Sequence, residues 1–160
     1  MKNTTLLFLV KKEDGIVIDI CLAMKKRGFG LGRWNGAGGK LDEGEIVEQA
    51  LVRETQEEIG VKPVHYQKIA EIDFHFRDQS DWDQKCHTYS CDKWEGEPSE
   101  SEEMKPQWYK VDSIPFDSMW PDDIYWLPKV LENNLVQASF MFAPGDVILE
   151  QKIIIVDSFK

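Results

Sequence analysis

Gly39-Lys-Leu-Asp-Glu-Gly-Glu45 leads through a helix-forming stretch into Arg53-Glu-Thr-Gln-Glu-Glu-Ile-Gly-Val61, and the reading of this passage decides the rest. Taken as one helix from Ile46 to Ile59, each residue advances about 100°. Ile46, Val47, Ala50 and Leu51 then share a face, and Glu54, Glu57 and Glu58 fall on that same face. Acids three and four apart on a helix repel one another by a few tenths of a kcal/mol per pair, and the C-terminal half of a helix disfavours negative charge. A positive partner is therefore expected. Arg53 is one, but a single guanidinium against three carboxylates leaves charge to neutralise, which a divalent cation would do. Hard carboxylate oxygens favour Mg²⁺ or Mn²⁺, and Mg²⁺ completes its shell with waters and phosphate oxygens. The passage thus points to a phosphate-bearing substrate.

The rest of the composition bounds this reading. With 160 residues the chain is expected to be one domain, residues 1–160, and 42% apolar content is enough for a core. A net charge of -10, from 29 acids and 19 bases, argues against a partner engaged through a nucleic-acid backbone, which needs a basic stripe. No 18-residue apolar run and no basic-then-apolar leader is present, so the expectation is a soluble, cytoplasmic protein without a membrane partner. Cys21, Cys86 and Cys91 form an odd set without metal spacing, which suits a reducing compartment. Cys86 is followed by His87, but neighbours on a strand point to opposite faces, so they cannot form a dyad. His65, His75 and His87 lack the spacing of a zinc site. A monomer acting on a small molecule is the expectation.

Aliphatic runs predict strands over Thr4–Val10 and Ile16–Met24, joined by a polar turn over Lys11–Gly15. Lys25–Gly38 carries five glycines among basic and aromatic residues and reads as a shaped loop. Ile69–Arg77 alternates, with Ala70, Ile72, Phe74 and Phe76 on the buried side. Strands are further expected over Lys85–Cys91 and Gln107–Val111, a helix over Asp122–Glu132 disturbed by Pro128, and a last hairpin of Ala138–Phe142 with Val147–Val156. Arg77–Gln84 and Glu95–Glu103 read as acidic surface loops.

Gly39, five residues, Glu45, seven residues, then Arg53-Glu54-x-x-Glu57-Glu58-x-Gly60-Val61 resembles the Nudix hydrolase signature, with Thr55 where an aliphatic residue is usual. The resemblance implies an α+β fold, an α/β/α sandwich with a mixed central sheet and a loop-helix-loop catalytic segment. It also implies hydrolysis of a diphosphate linked to another group, with Mg²⁺, or Mn²⁺ in its place, as cofactor. Gly39 and Gly60 would serve the turns at either end, and Arg53 would hold a glutamate in position. Glu57 and Glu58 would ligate metal with Glu54 assisting, Gly39 and Glu103 belonging to the same metal set. Glu58 is the leading ligand and a candidate base. Glu102 stands beside Glu103, so that assignment has a neighbour one position away.

Met24-Lys-Lys-Arg-Gly-Phe-Gly30, Arg33-Trp-Asn-Gly-Ala-Gly-Gly39 and Met119-Trp-Pro-Asp-Asp-Ile-Tyr-Trp126 resemble the members of that family that hydrolyse oxidised purine nucleoside triphosphates. Trp120 and Trp126 offer flat surface for a purine, and stacking contributes on the order of 1 to 3 kcal/mol per base. Asp122 and Asp123, set side by side, should raise each other's proton affinity, so that one donates while the other accepts. Asn35 carries both a donor and an acceptor. The resemblance assigns these three to the base and adds Lys25, Phe74, Thr5 and Phe140. Alone, the two aspartates after Pro121 read as helix caps; with Trp34-Asn35-Gly36, Tyr125-Trp126 and the intact signature they read as a base pocket. The segment Asp78–Lys85, with Trp82, Asp83 and Gln84, departs from these relatives at the pocket edge. Two other functions stay open: hydrolysis of a different nucleoside diphosphate derivative, and a catalytically silent nucleotide sensor.

Overall fold

The computed structural model describes residues 1–159. Strands β1 (Lys2–Glu13) and β2 (Ile16–Lys25) form an antiparallel hairpin that closes on two residues. Asp14 and Gly15 both take positive φ, 50° and 77°, the conformation a two-residue turn needs to follow the strand twist. The expected turn was longer, but Lys11–Glu13 stay in the ladder. β1 and β2 pair only from Leu9–Glu13 to Ile16–Cys21 and then part. The segment 34–40 fills the gap. Its short strand β3 (Trp34–Asn35) pairs with Ala23 and Met24 of β2, while Ala37 and Lys40 bridge to Leu7 and Thr4 of β1. The expected loop is thus partly sheet.

This wedge explains two glycines. A side chain on Gly38 would place its Cβ 1.8 Å from the Thr5 carbonyl oxygen, and one on Gly36 would come 2.6 Å from that of Leu7. Backbone approaches this close exclude any side chain.

The sheet continues from β1 in parallel to β5 (Gln84–Glu95), antiparallel to β4 (Lys62–Phe76), in parallel to β7 (Leu135–Ala143) and antiparallel to the edge strand β8 (Val147–Val156). β6 (Met104–Lys110) pairs with β2. β4 begins seven residues before the expected Ile69, because its polar first half, broken by register shifts near His65 and Lys68, hides the alternation.

Period two then sends alternate residues to opposite faces. Leu7, Leu9, Cys21 and Ala23 pack with Leu51 and Ile59 of helix α1 (Val47–Ile59). Phe8, Val10, Ile20 and Leu22 pack with Trp126, Leu127 and Val130 of helix α2 (Asp123–Leu131). The result is the expected α/β/α sandwich on a mixed sheet. Pro128 lies within α2, which runs on to Leu131. No helix among the described residues is long and apolar enough to cross a membrane.

α1 departs from the expected face. Ile46 is 62% exposed, and the buried line runs through Ala50, Leu51, Thr55, Glu58 and Ile59. Thr55, the unusual residue of the signature, is fully buried, and its hydroxyl donates to the Leu51 carbonyl at 2.7 Å, a bond to the preceding turn that satisfies it without a further partner. Gly60 ends the helix with φ 74°, the left-handed position glycine favours.

The wedge sets a stability test. Gly38→Ala forces β1 and the wedge apart and should cost at least about 2 kcal/mol, a fall in melting temperature of roughly 4 to 8 °C for a chain of this size. A thermal melt within 1 °C of the parent, roughly the scatter expected of a surface change, would mean that the close approach is not a constraint.

Candidate active site

The wedge, the second half of α1 and the end of β2 meet around Glu58. Its carboxylate is almost wholly enclosed; Oε1 accepts the Gly38 N–H at 2.8 Å, and Lys25 Nζ stands 4.0 Å from Oε2. Burial pushes its pKa up from 4.5 to about 7, against the lowering effects of the Gly38 N–H and Lys25 and with the help of Glu54 and Glu103. Glu54 lies against Gly39, where a Cβ would come 2.7 Å from its carboxyl carbon. Gly39 has no positive φ, so its role here is clearance for Glu54 rather than the expected turn. Its carbonyl accepts the Thr5 N–H at 2.9 Å, which leaves one lone pair.

Arg53 is the hub of the other acids. Its Nε and Nη2 donate to Glu45 at 2.7 and 2.9 Å, Nη1 to Glu54 at 2.9 Å and Glu57 at 3.3 Å, and Nη2 to the Lys40 carbonyl at 3.1 Å. One guanidinium serves four carboxylates, bonding Glu45, Glu54 and Glu57 and pairing with Asp42 at 3.3 Å; Glu58 is left to Lys25 and Gly38. The two bonds from Arg53, with the Asp42 N–H, hold Glu45 down at about 2. Glu54 instead is raised, because burial outweighs its bond to Arg53. Glu57 has its side chain 59% exposed on the flank of the helix. Glu103 reaches Lys25 at 3.8 Å, and its carbonyl accepts the Lys26 N–H at 2.7 Å, which ties it to the end of β2. Glu102, the neighbouring candidate, is 88% exposed and pairs with Arg27 at 3.7 Å.

These acids fit a hard divalent ion in their chemistry, since like charges that raise one another's pKa gain from a cation between them. Among the described residues no three acidic or imidazole side chains form a ready-made cage.

Beside Glu58 opens a cavity of about 300 Å³. Thr5, Lys25, Asn35, Phe74, Trp120, Asp122, Asp123 and Trp126, of the residues expected around a base, all line it, as does Gly39. Phe140 does not; it is fully buried and backs Phe74, with ring centroids 6.0 Å apart and planes 20° off parallel. Glu54, Glu57, Glu103 and Arg53 also lie outside the lining.

Trp126 is fully buried, and its indole N–H donates to Asp122 Oδ2 at 2.8 Å. Asp122 makes no side-chain cap bond to α2, so the capping alternative is absent. Burial raises both aspartates, and Asp123 is pushed well up because it also sits beside the Asp122 charge. Asp123 Oδ2 and Thr5 Oγ1 are buried without a hydrogen-bond partner, and buried polar atoms without partners are uncommon. Asn35 Oδ1 accepts the Gly36 N–H at 2.9 Å.

Sequence reasoning passed over several lining residues. Phe29, Arg33 and Phe76 belong to quoted or alternating segments without having drawn a role, and Cys86 and Phe142 are further wall residues. Burial pushes the Cys86 thiol up to about 11, which leaves it no nucleophile at neutral pH. His87 faces away, with Lys68 2.9 Å from Nδ1 and Asn3 2.9 Å from Nε2, so the two form no dyad.

A helix that gives its second half to carboxylates, glycines that clear room for them and a cavity beside the acids define a nucleotide-hydrolase arrangement. The chain belongs to the NUDIX domain family, which it matches over residues 2–130. Members of this family are hydrolases that act on small-molecule nucleotides and generally use a divalent metal. Within it, the chain is 46% identical over 134 residues to the oxidized purine nucleoside triphosphate hydrolase of Danio rerio, covering 84% of this chain and 85% of that one. It is 45% identical over 140 residues to the Mus musculus protein of the same name, covering 88% and 89%. A MutT protein from Bacillus halodurans shares the fold, with a TM-score of 0.82 at 23% identity over 96% of this chain and 97% of that chain.

The raised acids carry a pH consequence for the metal-free protein. Glu58 keeps its proton in the folded state where the unfolded chain has lost it, so its contribution is intact below about 4.5 and is lost as pH rises through about 7. Asp122 and Asp123 act in the same direction. Glu58→Gln keeps an acceptor for Gly38 and removes the ionisation. In chelator at pH 8 the variant should be more stable than the parent by roughly 1 to 3 kcal/mol, and the difference should vanish near pH 4.5. Parallel stability curves for the two proteins across pH 4 to 8 would overturn this.

Proposed function

We propose that this chain, acting as a single domain, hydrolyses oxidised purine nucleoside triphosphates of the 8-oxo-dGTP and 2-hydroxy-dATP type to the monophosphate and pyrophosphate, so removing damaged precursors from the nucleotide pool. The observation that carries the proposal is the buried pair Asp122 and Asp123 beside the cavity, both raised and one with an unpartnered oxygen. Two ionised carboxylates at this depth would be very costly, so the pair holds a proton between them at neutral pH. The Trp126 N–H steadies the negative charge on Asp122, which leaves Asp123 as the donor. A donor and an acceptor fixed side by side suit a purine edge whose tautomer has changed on oxidation. Asn35, its Oδ1 engaged by Gly36, turns its remaining capacity to the base, and Thr5 Oγ1 is free to bond it. Phe74, backed by Phe140, and Trp120 bound the ring, while Trp126 acts through Asp122.

The triphosphate lies toward Lys25, Gly38 and Gly39, where the cavity meets Glu58. Glu54, Glu57, Glu58, Glu103 and the Gly39 carbonyl are the groups that would hold Mg²⁺, with Mn²⁺ as a substitute. When bound, the ion supplies charge neutralisation to the phosphates and lowers the pKa of its water. Glu58, which lines the cavity where it meets Lys25 and Gly38, is the candidate to accept a proton from the attacking water. Arg53 fixes Glu54 and Glu57 through Nη1 while Glu45 anchors its other nitrogens. A monomer in the cytoplasm, working on a free nucleotide without nucleic acid or membrane, completes the reading; the net charge of -10 supports it.

Pyrophosphate release from 8-oxo-dGTP, 2-hydroxy-dATP, dGTP and dATP, each with Mg²⁺ and with chelator, tests the proposal through kcat/KM. A metal-dependent preference for an oxidised nucleotide is expected; equal activity on all four, or none, would redirect the search to another diphosphate or a sensor. Glu58→Gln should lower kcat by at least about 100-fold while nucleotide binding persists. Asp122→Asn and Asp123→Asn should each lower kcat/KM for the oxidised purine by about 10- to 100-fold, the cost of leaving a buried polar group unpaired. Their effect on the undamaged nucleotide should be smaller, and equal losses on both would count against base reading by the aspartates.

A further inference from the structure

A second groove, of about 670 Å³, adjoins the base cavity, and the two share Phe29, Gly30, Arg33, Phe76, Trp120 and Phe142. None of the acids around Glu58, neither aspartate of the base cavity and not Asn35 lines it. It therefore lies on the side of the shared rim away from the triphosphate. Its walls are aromatic and open to solvent: Phe29 is 54% exposed and Trp82 44% exposed, and Leu31 is exposed beside them. Phe29 meets Trp82 with ring centroids 5.4 Å apart and Trp120 at 4.9 Å, and Trp82 meets Phe76 at 5.6 Å. Large apolar side chains grouped at a rim, rather than scattered singly, mark a binding surface.

Arg33 supplies the second observation. Its guanidinium lies over Trp120, 4.1 Å from the ring centroid, and Nη2 bonds Asp146 at 2.6 Å. Its Nη1 is buried and has no partner. A donor held in place by a ring on one side and a carboxylate on the other, and left unused at the rim common to both spaces, is set for an acceptor that a ligand brings.

We infer that this groove is a subsite for an aromatic substituent carried on the purine, so that the enzyme also hydrolyses purine nucleoside triphosphates bearing an arylmethyl group on an exocyclic atom. The base stays in the cavity between Trp120 and Phe74, and the substituent crosses the shared rim. Its ring is covered by Phe29 and Trp82, which bury surface they now expose to water. Where the substituent is attached through O6, Arg33 Nη1, buried and without a partner, donates to that oxygen; where it is attached through N2 or N6, the ring contacts of Phe29 and Trp82 carry the binding. The bond broken in the triphosphate and the water consumed are the same as for the unsubstituted nucleotide. This rests on the base cavity proposed above, and Trp82, which does not line that cavity, separates the two.

The test compares kcat/KM for N2-benzyl-dGTP, O6-benzyl-dGTP and N6-benzyl-dATP with their methyl counterparts and with 8-oxo-dGTP, in the parent, Trp82→Ala and Leu31→Ser. At least one benzyl nucleotide should match or exceed its methyl counterpart, and that nucleotide should lose about 10-fold in Trp82→Ala and several-fold in Leu31→Ser, while 8-oxo-dGTP changes less than about 2-fold; tenfold corresponds to about 1.4 kcal/mol, within what burying one aromatic ring contributes. If every benzyl nucleotide falls at least tenfold below its methyl counterpart in the parent, or if Trp82→Ala lowers benzyl and 8-oxo nucleotides alike, the subsite is refuted while the base cavity stands. Failure of the parent to turn over 8-oxo-dGTP, with benzyl nucleotides turned over, would instead refute the base reading and leave the groove as the specificity site.

Discussion

Everything at this site follows from Glu58 being a carboxylate in a place that resists charge. The helix that carries it packs Leu51 and Ile59 into the core, and the same turn that buries those side chains buries Glu58 with them. A single backbone N–H from Gly38 and a lysine 4.0 Å away are all that oppose the cost. Arg53 is committed instead to Glu45, Glu54 and Glu57. The local excess of negative charge is thereby preserved rather than cancelled, and it is available to a cation and a polyphosphate when they arrive together. The glycines around it have the same logic, since Gly39 exists to let Glu54 lie flat on the backbone and Gly38 to let the wedge reach β1.

Burial raises the acids at both ends of the cavity. At Glu58 burial raises a group that a bound ion would return to its charged form. At Asp122 and Asp123 burial raises both groups, and Asp123 the more because it lies beside the Asp122 charge, while the Trp126 N–H and Arg33 act against the rise. The two ends of one cavity thus differ in the positive or donor groups that stand near their acids: Lys25 at Glu58, the Trp126 N–H and Arg33 at the aspartates.

How much of this was legible depended on whether a feature lay in a local period. The hairpin, α1, the aromatic face of Phe74 and Phe76 and the last two strands show in spacing alone, and the signature marked Arg53, Glu54, Glu57 and Glu58. The face of α1 is displaced from the expected one, because the angular rule weighs Ile46 as apolar although it stands exposed at the N-cap while Val47 packs against the core. Half of β4 was missed because its polar residues and register shifts cancel the alternation. Glu45, Phe29 and Arg33 were present in quoted motifs without a role, since what they do depends on partners distant in sequence: Arg33 bonds Asp146, and Phe29 meets Trp82 and Trp120. The wedge itself was invisible, as nothing in a glycine-rich stretch says which strand it will lie against.

The parallel pairing of β1 with β5 sets Lys2 against Gln84 and Leu9 against Cys91, so β1 is synthesised well ahead of the strand it pairs with in parallel. Until then Leu7, Phe8, Leu9 and Val10 form a continuous apolar run that only the short hairpin with β2 shelters, the situation in which nascent chains are prone to associate. The wedge needs β1 and β2 in place, and Glu58 needs the wedge, so the acid site depends on backbone contacts rather than on its own helix alone. A copy in which the wedge has come away from β1 thus loses both the Gly38 N–H that Glu58 accepts and the enclosure that raises its pKa.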